Sequence, residues 1–322
     1  MTLVKAINNA LDIKLEENKD VVIFGEDVGY EGGVFRVTQG LQQKYGAERV
    51  FDSPLAESGI VGTAVGMAVA GMKPVIEMQF SGFAYPGFNQ MISHVARMRN
   101  RSRGRYTSSM VIRMPYGGGI KALEHHSESM EAIYAHIPGL KVVIPSTPHD
   151  AKGLLISAIE SEDPVIYMEP KRIYRAVKQE VSEDKFTVQI GKANVVQQGK
   201  DITVVSYGAM MRDTQKAIAM AKKAGISVEL IDLRTIYPLD KETVASSIKK
   251  TGRLLTVVEA PRSFGAGAEI MALANEEAFL YLEAPPKRVT GFDTIFPLPQ
   301  GEHHYLPSPE KIFYEIEKTV KF

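Results

Sequence analysis

Short runs of β-branched and aromatic residues alternate with segments of helical period along this chain, and that alternation limits the fold more than any other feature. Strands separated by helical stretches do not pair as hairpins. They connect through crossovers into a mainly parallel sheet, so the expected class is α/β. In the first half the sequence predicts strands at Val21–Phe24, Pro74–Phe80, Met110–Met114, Lys141–Ile144 and Pro164–Met168. Helices fit Arg36–Tyr45, Glu57–Gly71, Gly87–Asn100 and Asp150–Ser161, after an opening helix with Thr2 as its cap and Val4, Ile7, Leu11 and Leu15 on one face. A second series has strands at Ile202–Ser206, Ser227–Leu233 and Leu254–Val258, helices at Arg212–Ala224, Lys241–Lys250 and Ala266–Tyr281, a short strand near Arg288–Thr290, and a last helix at Glu310–Val320. The charged stretch Glu169–Phe186, bounded by Pro170, reads as a surface linker. Two α/β domains are therefore expected, 1–186 and 187–322, in keeping with a length that exceeds one ordinary core.

Charge and composition narrow the function classes. Thirty-eight basic residues balance 38 acidic ones, leaving no basic field to hold nucleic acid or an anionic membrane. The absence of cysteine excludes disulfides, thiolate zinc sites, iron–sulfur clusters and a cysteine nucleophile, and it fits a reducing cytoplasm. Gly59–Met72 is the longest apolar stretch, and its 14 residues are too few to span a bilayer. The amino terminus lacks the apolar core and cleavage site of a secretory signal.

Four segments carry residues suited to chemistry. The loop Gly25–Phe35 (GEDVGYEGGVF) follows a strand, where open α/β sheets place ligand crevices, but its glycines do not form GxGxxG, and no phosphate-loop motif occurs in the chain. Glu57 opens an apolar helix containing Gly62 and Gly66. An acid in a first turn is favoured by the helix dipole, so capping is one reading. The other follows from an apolar helix that must be buried on every side: a carboxyl at its mouth is partly desolvated and suited to sharing a proton. Gln79–Phe88 holds four aromatics, which serve either as core or as a stacking platform for a planar ring. Met114–Ala132 joins three glycines to His125 and His126, a spacing that suits acid–base work by one imidazole better than zinc. His303 and His304 are expected at the surface.

Taken in order, GEDVG, the run from Asp52 to Ser58 around Glu57, EMQFSGFAYPGFNQ, RMPYGGG, HHSES, PGLKVVIPSTPHDAKGLL, EPKRIYR, IDLRTIYPLD and VTGFD resemble the beta subunit of the thiamine-diphosphate-dependent 2-oxo acid dehydrogenases, over essentially the whole chain. The resemblance implies a transketolase-like fold, with a pyrimidine-binding domain followed by a carboxyl-terminal domain. It implies that Glu57 hydrogen-bonds the aminopyrimidine ring nitrogen of the cofactor, that Glu26 and Phe83 also bind the cofactor, with Phe83 stacking on the pyrimidine, and that His126 takes part in acyl transfer to lipoamide. The family holds magnesium and diphosphate through a GDG-x-n-N motif that this chain lacks. An alpha subunit is thus the implied source of the missing half-site, in a tetramer of two alpha and two beta chains docked on a lipoyl acyltransferase core, with Gly62 and Gly66 on an interface helix. EPKRIYR and the aromatic QF–F–YPGF pattern look more like the branched-chain enzyme than the pyruvate enzyme. A non-catalytic scaffolding subunit is the alternative of another class. The family also has a potassium site, and Met110, Ala158, Ile159 and Asp163 resemble its positions, although Ser161 stands where an acidic residue is common.

Overall fold

A computed structural model describes residues 1–322. They form two units by contact, 1–116 with 133–190, and 117–132 with 191–322. The division in the chain thus lies at Ile190/Gly191, and the glycine–histidine segment after Tyr116 packs with the second unit although it was expected within the first domain. No helix is long and apolar enough to cross a membrane.

In the first unit, β1 (Val21–Gly25), β2 (Val50–Asp52), β3 (Lys73–Glu77), β4 (Val111–Tyr116), β5 (Lys141–Val143) and β6 (Val165–Pro170) lie in the order β2-β1-β3-β4-β6-β5, every neighbouring pair parallel. Almost every residue of β1, β3, β4 and β6 is buried instead of alternating, as a parallel sheet covered on both faces requires. The opening helix, Leu3–Glu17, is capped by Thr2, whose hydroxyl accepts from the Lys5 amide, and it packs on the helix Pro148–Glu160. The three-residue β2 was not anticipated, being too short to show a period.

Three expectations change here. The helix predicted over 36–45 is confined to Leu41–Tyr45, because Arg36 and Gly40 take left-handed backbone angles, φ 63° and 85°, which a helix cannot contain. The helix predicted over 87–100 divides into Tyr85–Gln90, a π turn at Met91–Val95, and Met98–Arg101. The presumed linker begins as core: β6 runs through Pro170, and Glu169, Lys171, Ile173 and Tyr174 are all buried. Charge suggested solvent, but Glu169 is neutralised by an arginine two strands of sequence away. Only the stretch after Tyr174 runs mostly over the surface.

The second unit has a five-stranded sheet. With β7 (Asn194–Gln197), β8 (Ile202–Ser206), β9 (Val228–Asp232), β10 (Thr235–Tyr237), β11 (Leu254–Val257) and β12 (Lys287–Val289) in chain order, its spatial order is β12-β11-β8-β9-β7, and β10 takes no part in it. All pairs are parallel except the edge strand β7, which runs antiparallel and carries a bulge near Val195. One face presents Ile202, Val204, Val228, Leu230, Leu255 and Val257 to the helices Met210–Lys223 and Pro309–Val320. The opposite face mixes polar residues with the apolar Val205, Ile231 and Leu254: Thr203 meets Ser247 and Thr251 of the helix Lys241–Thr251, and Gly267, in the helix Ala266–Ala278, lies against Thr256. Helices on both faces follow from this alternation.

Candidate active site

The carboxyl end of β1 and the start of the helix Glu57–Val69 carry the acidic residues singled out by sequence. Glu57 sits in the first turn and is only 8% exposed. Its carboxylate makes no hydrogen bond or ion pair within the chain. A capping role would have it accept from the amides of its own first turn, so the structure leaves this group free for a ligand. Glu26, at the end of β1, is likewise buried without a hydrogen-bond partner. Burial, then the negative charges of Glu57 and Asp27, push its carboxyl above the ordinary range. The two carboxylates are thus electrostatic neighbours, and both lack donors.

Glycine sets how closely the aromatic turn approaches Glu57. A Cβ at Gly87 would lie 3.1 Å from the Glu57 carbonyl oxygen and 3.1 Å from a Val61 methyl, so the helix Tyr85–Gln90 packs where only glycine fits easily. The Ser58 hydroxyl donates to the Pro86 carbonyl and ties the same two elements. Phe83 lies in the turn leading into that helix, edge-on to Phe80 at 5.4 Å between ring centroids. Phe80 is buried, whereas Phe83 is half-buried and keeps part of its ring open. Of the two readings for these aromatics, core holds for Phe80, and a platform suits Phe83. Two buried acceptors, with a partly open ring in the turn leading into the helix that packs on Glu57, fit an aminopyrimidine, which offers ring-nitrogen and amino hydrogen bonds and a flat face.

The expectation that the helix from Glu57 is buried on every side is not met within one chain. Ile60, Val61, Ala64 and Ala68 are buried, but Gly59, Thr63 and Gly66 are exposed on another face.

Behind the Gly25–Phe35 loop lies a cluster that sequence reasoning missed. Arg113, fully buried in β4, donates from Nε and a terminal nitrogen to Glu169 at 2.7 and 3.1 Å, and from its other nitrogen to Glu77 at 2.8 Å. The Tyr174 hydroxyl donates to Glu169 at 2.5 Å, and a Cβ on Gly33 would meet a Glu77 oxygen at 3.1 Å. Burial raises the Glu77 carboxyl, with Arg113 acting in the opposite sense. The signal was available: charged residues inside otherwise apolar strands need partners.

His126 belongs to the second unit, half-buried on a single turn at Glu124–His126, and His125 is exposed. Its loop is held by carboxylates. Glu259 accepts from the Gly118 amide and, at 3.4 Å, from the Ser129 hydroxyl, and Glu302 accepts from the Lys121 amide at 3.1 Å. The loop closes on itself where the Gly117 amide donates to the Glu128 carbonyl at 3.0 Å. A Cβ on Gly118 would collide with the Phe296 ring at 2.3 Å, so this glycine is required by close approach. Glu131 accepts from the Tyr207 hydroxyl at 2.7 Å, and burial raises its carboxyl. His303 and His304 are exposed, as expected.

Comparison with known proteins agrees with this layout. Family models for the transketolase pyrimidine-binding domain and the transketolase C-terminal domain match residues 1–177 and 191–312. Among curated relatives, the pyruvate dehydrogenase E1 component subunit beta of Acholeplasma laidlawii is 57% identical over all of this chain and 98% of its own length. The proteins of that description from Mycoplasma genitalium and Staphylococcus aureus are 53% and 51% identical, with at least 98% of each relative covered. Among solved structures, a split-gene transketolase described as an inactive beta4 tetramer superposes with a TM-score of 0.82 at 22% identity, covering 100% of this chain and 99% of that one. A transketolase from Pichia stipitis gives 0.70 at 14% identity, with this chain spanning 46% of it. Both likenesses are of fold.

Proposed function

This chain belongs to the transketolase-like beta subunits of thiamine-diphosphate-dependent 2-oxo acid dehydrogenases, and from that membership we propose that it is the beta subunit of a pyruvate dehydrogenase. The observation that carries an active role is the buried pair Glu26 and Glu57, neither with a hydrogen-bond partner, with the half-buried Phe83 in the turn leading into the helix that packs on Glu57. When bound, thiamine diphosphate supplies the carbon nucleophile and the electron sink for loss of carbon dioxide from a 2-oxo acid. Glu57 holds and exchanges a proton at the pyrimidine ring nitrogen. Glu26 lines the cofactor beside it, and Phe83 offers its face to the ring. His126 manages the proton at the lipoamide sulfur during acyl transfer to a lipoyl acyltransferase core. Magnesium and the diphosphate are left to an alpha subunit with the GDG-x-n-N motif, in a tetramer of two alpha and two beta chains.

The branched-chain preference expected from sequence gives way to pyruvate. The likenesses at 51–57% identity are to pyruvate dehydrogenase subunits, and the segments that suggested otherwise serve packing. In EPKRIYR, Glu169 pairs with Arg113 while Ile173 and Tyr174 are buried, and in the aromatic pattern Phe80 is core. Such positions report how the strands pack and say little about substrate. The test is decarboxylation by the chain reconstituted with an alpha partner, thiamine diphosphate and magnesium, on pyruvate and on 3-methyl-2-oxobutanoate. A kcat/KM higher for pyruvate is expected. A preference for the branched acid overturns the substrate assignment, and no turnover of either acid favours a scaffolding subunit.

A further inference from the structure

The positions that resemble a potassium site converge at one corner of the first unit, but their oxygens are already engaged by this chain's own donors. The Met110 carbonyl accepts from the Val165 amide at 3.0 Å, and the Ala158 carbonyl from the Ser161 amide at 3.2 Å. The Ile159 carbonyl faces the Lys73 ammonium at 3.4 Å, and the same ammonium donates to the Ser109 hydroxyl at 2.9 Å. Ser109 passes the contact on, donating to the Ser161 carbonyl at 2.7 Å. Asp163 accepts from the Arg99 guanidinium at 2.7 Å and lies 3.6 Å from the Lys141 ammonium, which also donates to the Ser161 hydroxyl at 3.0 Å.

Charge weighs against a metal ion more than hydrogen bonding does. A potassium ion among these oxygens adds a fourth cation to Lys73, Lys141 and Arg99. The nearby acids are committed: Glu160 to Lys14 and Lys185, Glu162 to Arg99, and Asp163 to two cations. Ser161 supplies a hydroxyl where a second carboxylate would have offset that excess. Burial first, then repulsion from Lys14, lowers the Lys73 ammonium below the ordinary lysine value, while Glu162 and Glu160 pull the other way. Access is not the obstacle, since the corner opens on a surface cleft lined by Lys141, Ser157, Glu160, Ser161, Glu162 and Asp163.

We propose that the Lys73 ammonium, seconded by Lys141, is the resident cation of this corner, so that the chain folds and is stabilised without potassium. Lysine at the first position of β3 then ties the start of that strand to the end of the helix Pro148–Glu160, the link a bound ion would otherwise make.

Thermal melting of the full chain, free of cofactor, in potassium chloride, sodium chloride and choline chloride at one ionic strength tests the proposal directly. The wild type is expected to melt at the same temperature in all three. Lys73→Gln keeps a polar side chain but loses the charge. It should melt a few degrees lower in choline chloride and recover part of that loss in potassium chloride, with saturation. A saturable, potassium-specific rise in the wild-type melting temperature overturns the proposal even if the variant fails to fold. So does a Lys73→Gln chain that melts like the wild type in choline chloride, or one whose deficit potassium leaves unchanged.

Discussion

A carboxylate drawn largely out of water and given no hydrogen bond is costly to a folded chain, and Glu57 and Glu26, 8% and 6% exposed, both stand in that position. The cost makes sense where a ligand supplies the missing donors. Glu57→Gln preserves volume and an acceptor but cannot exchange a proton. Its assembled enzyme is expected to fold normally and lose decarboxylation by roughly 10²–10⁴-fold, the range of acid–base steps, as measured by steady-state turnover. Near-normal turnover would reduce Glu57 to a helix-terminal charge. Glu26 makes a prediction in pH. Its folded-state carboxyl is raised above the ordinary 4.5, so the native chain binds this proton more readily than the unfolded one. Stability therefore falls as pH rises from the unfolded value through the raised one, and the penalty is complete above that window. Glu26→Gln removes the penalty. The variant should melt higher than wild type at neutral pH, with a flatter dependence from about pH 4.5 upward. Melting curves that fall with pH as steeply as those of the wild type would refute this.

At the scale of elements, the loop that carries His126 takes its shape from carboxylates distant in sequence. Glu259 follows β11 and reaches back 141 residues to the Gly118 amide. Burial first, then the charges of Glu259, Glu131 and Asp293, push the Tyr305 hydroxyl above its ordinary value. Glu259 is a positioning residue: it acts through the loop. Glu259→Ala should slow acyl transfer to a lipoyl domain by roughly 10–100-fold, the penalty of a misplaced group, while decarboxylation followed with an artificial acceptor falls less. Glu259→Gln still offers an oxygen to the amide and should restore most of the transfer rate. Equal losses in both assays, or no rescue by glutamine, would mean that Glu259 serves only general stability.

For the whole molecule, the exposed face of the helix Glu57–Val69 is the feature that a single chain leaves unfinished. Gly66 is open, with nothing within 4 Å of an added Cβ, and Gly59 and Thr63 flank it. Gly66→Leu should leave the isolated chain as stable as before or raise it by up to about 1 kcal/mol, because glycine is a poor helix former. The same change should prevent close approach of a partner helix. Loss of co-elution with the alpha chain on gel filtration, with an unchanged or higher melting temperature for the chain alone, is the expected pair of results. Normal assembly by Gly66→Leu would remove this face from the interface.

Local chemistry was enough to determine the order and type of most elements. Residues within a turn of one another set the helix caps, so Thr2 acts where its sequence position suggested, and the switch between strand and helix periods marks the crossovers of both sheets. It also placed Glu57 at a helix start and the histidines on a glycine loop. What the sequence could not determine depends on residues that meet only after folding. Arg113 and Glu169 are 56 positions apart, and only their pairing turns a charged segment that looked like linker into buried core. The raised carboxyl of Glu26 depends on burial and then on Glu57 at the start of another element, and the Lys73 ammonium meets the Ile159 carbonyl 86 positions away. Backbone propensity is settled over a few residues, but desolvation and Coulomb interaction depend on distance in space. The tertiary structure alone therefore decided which charges are paired and which stand without a partner.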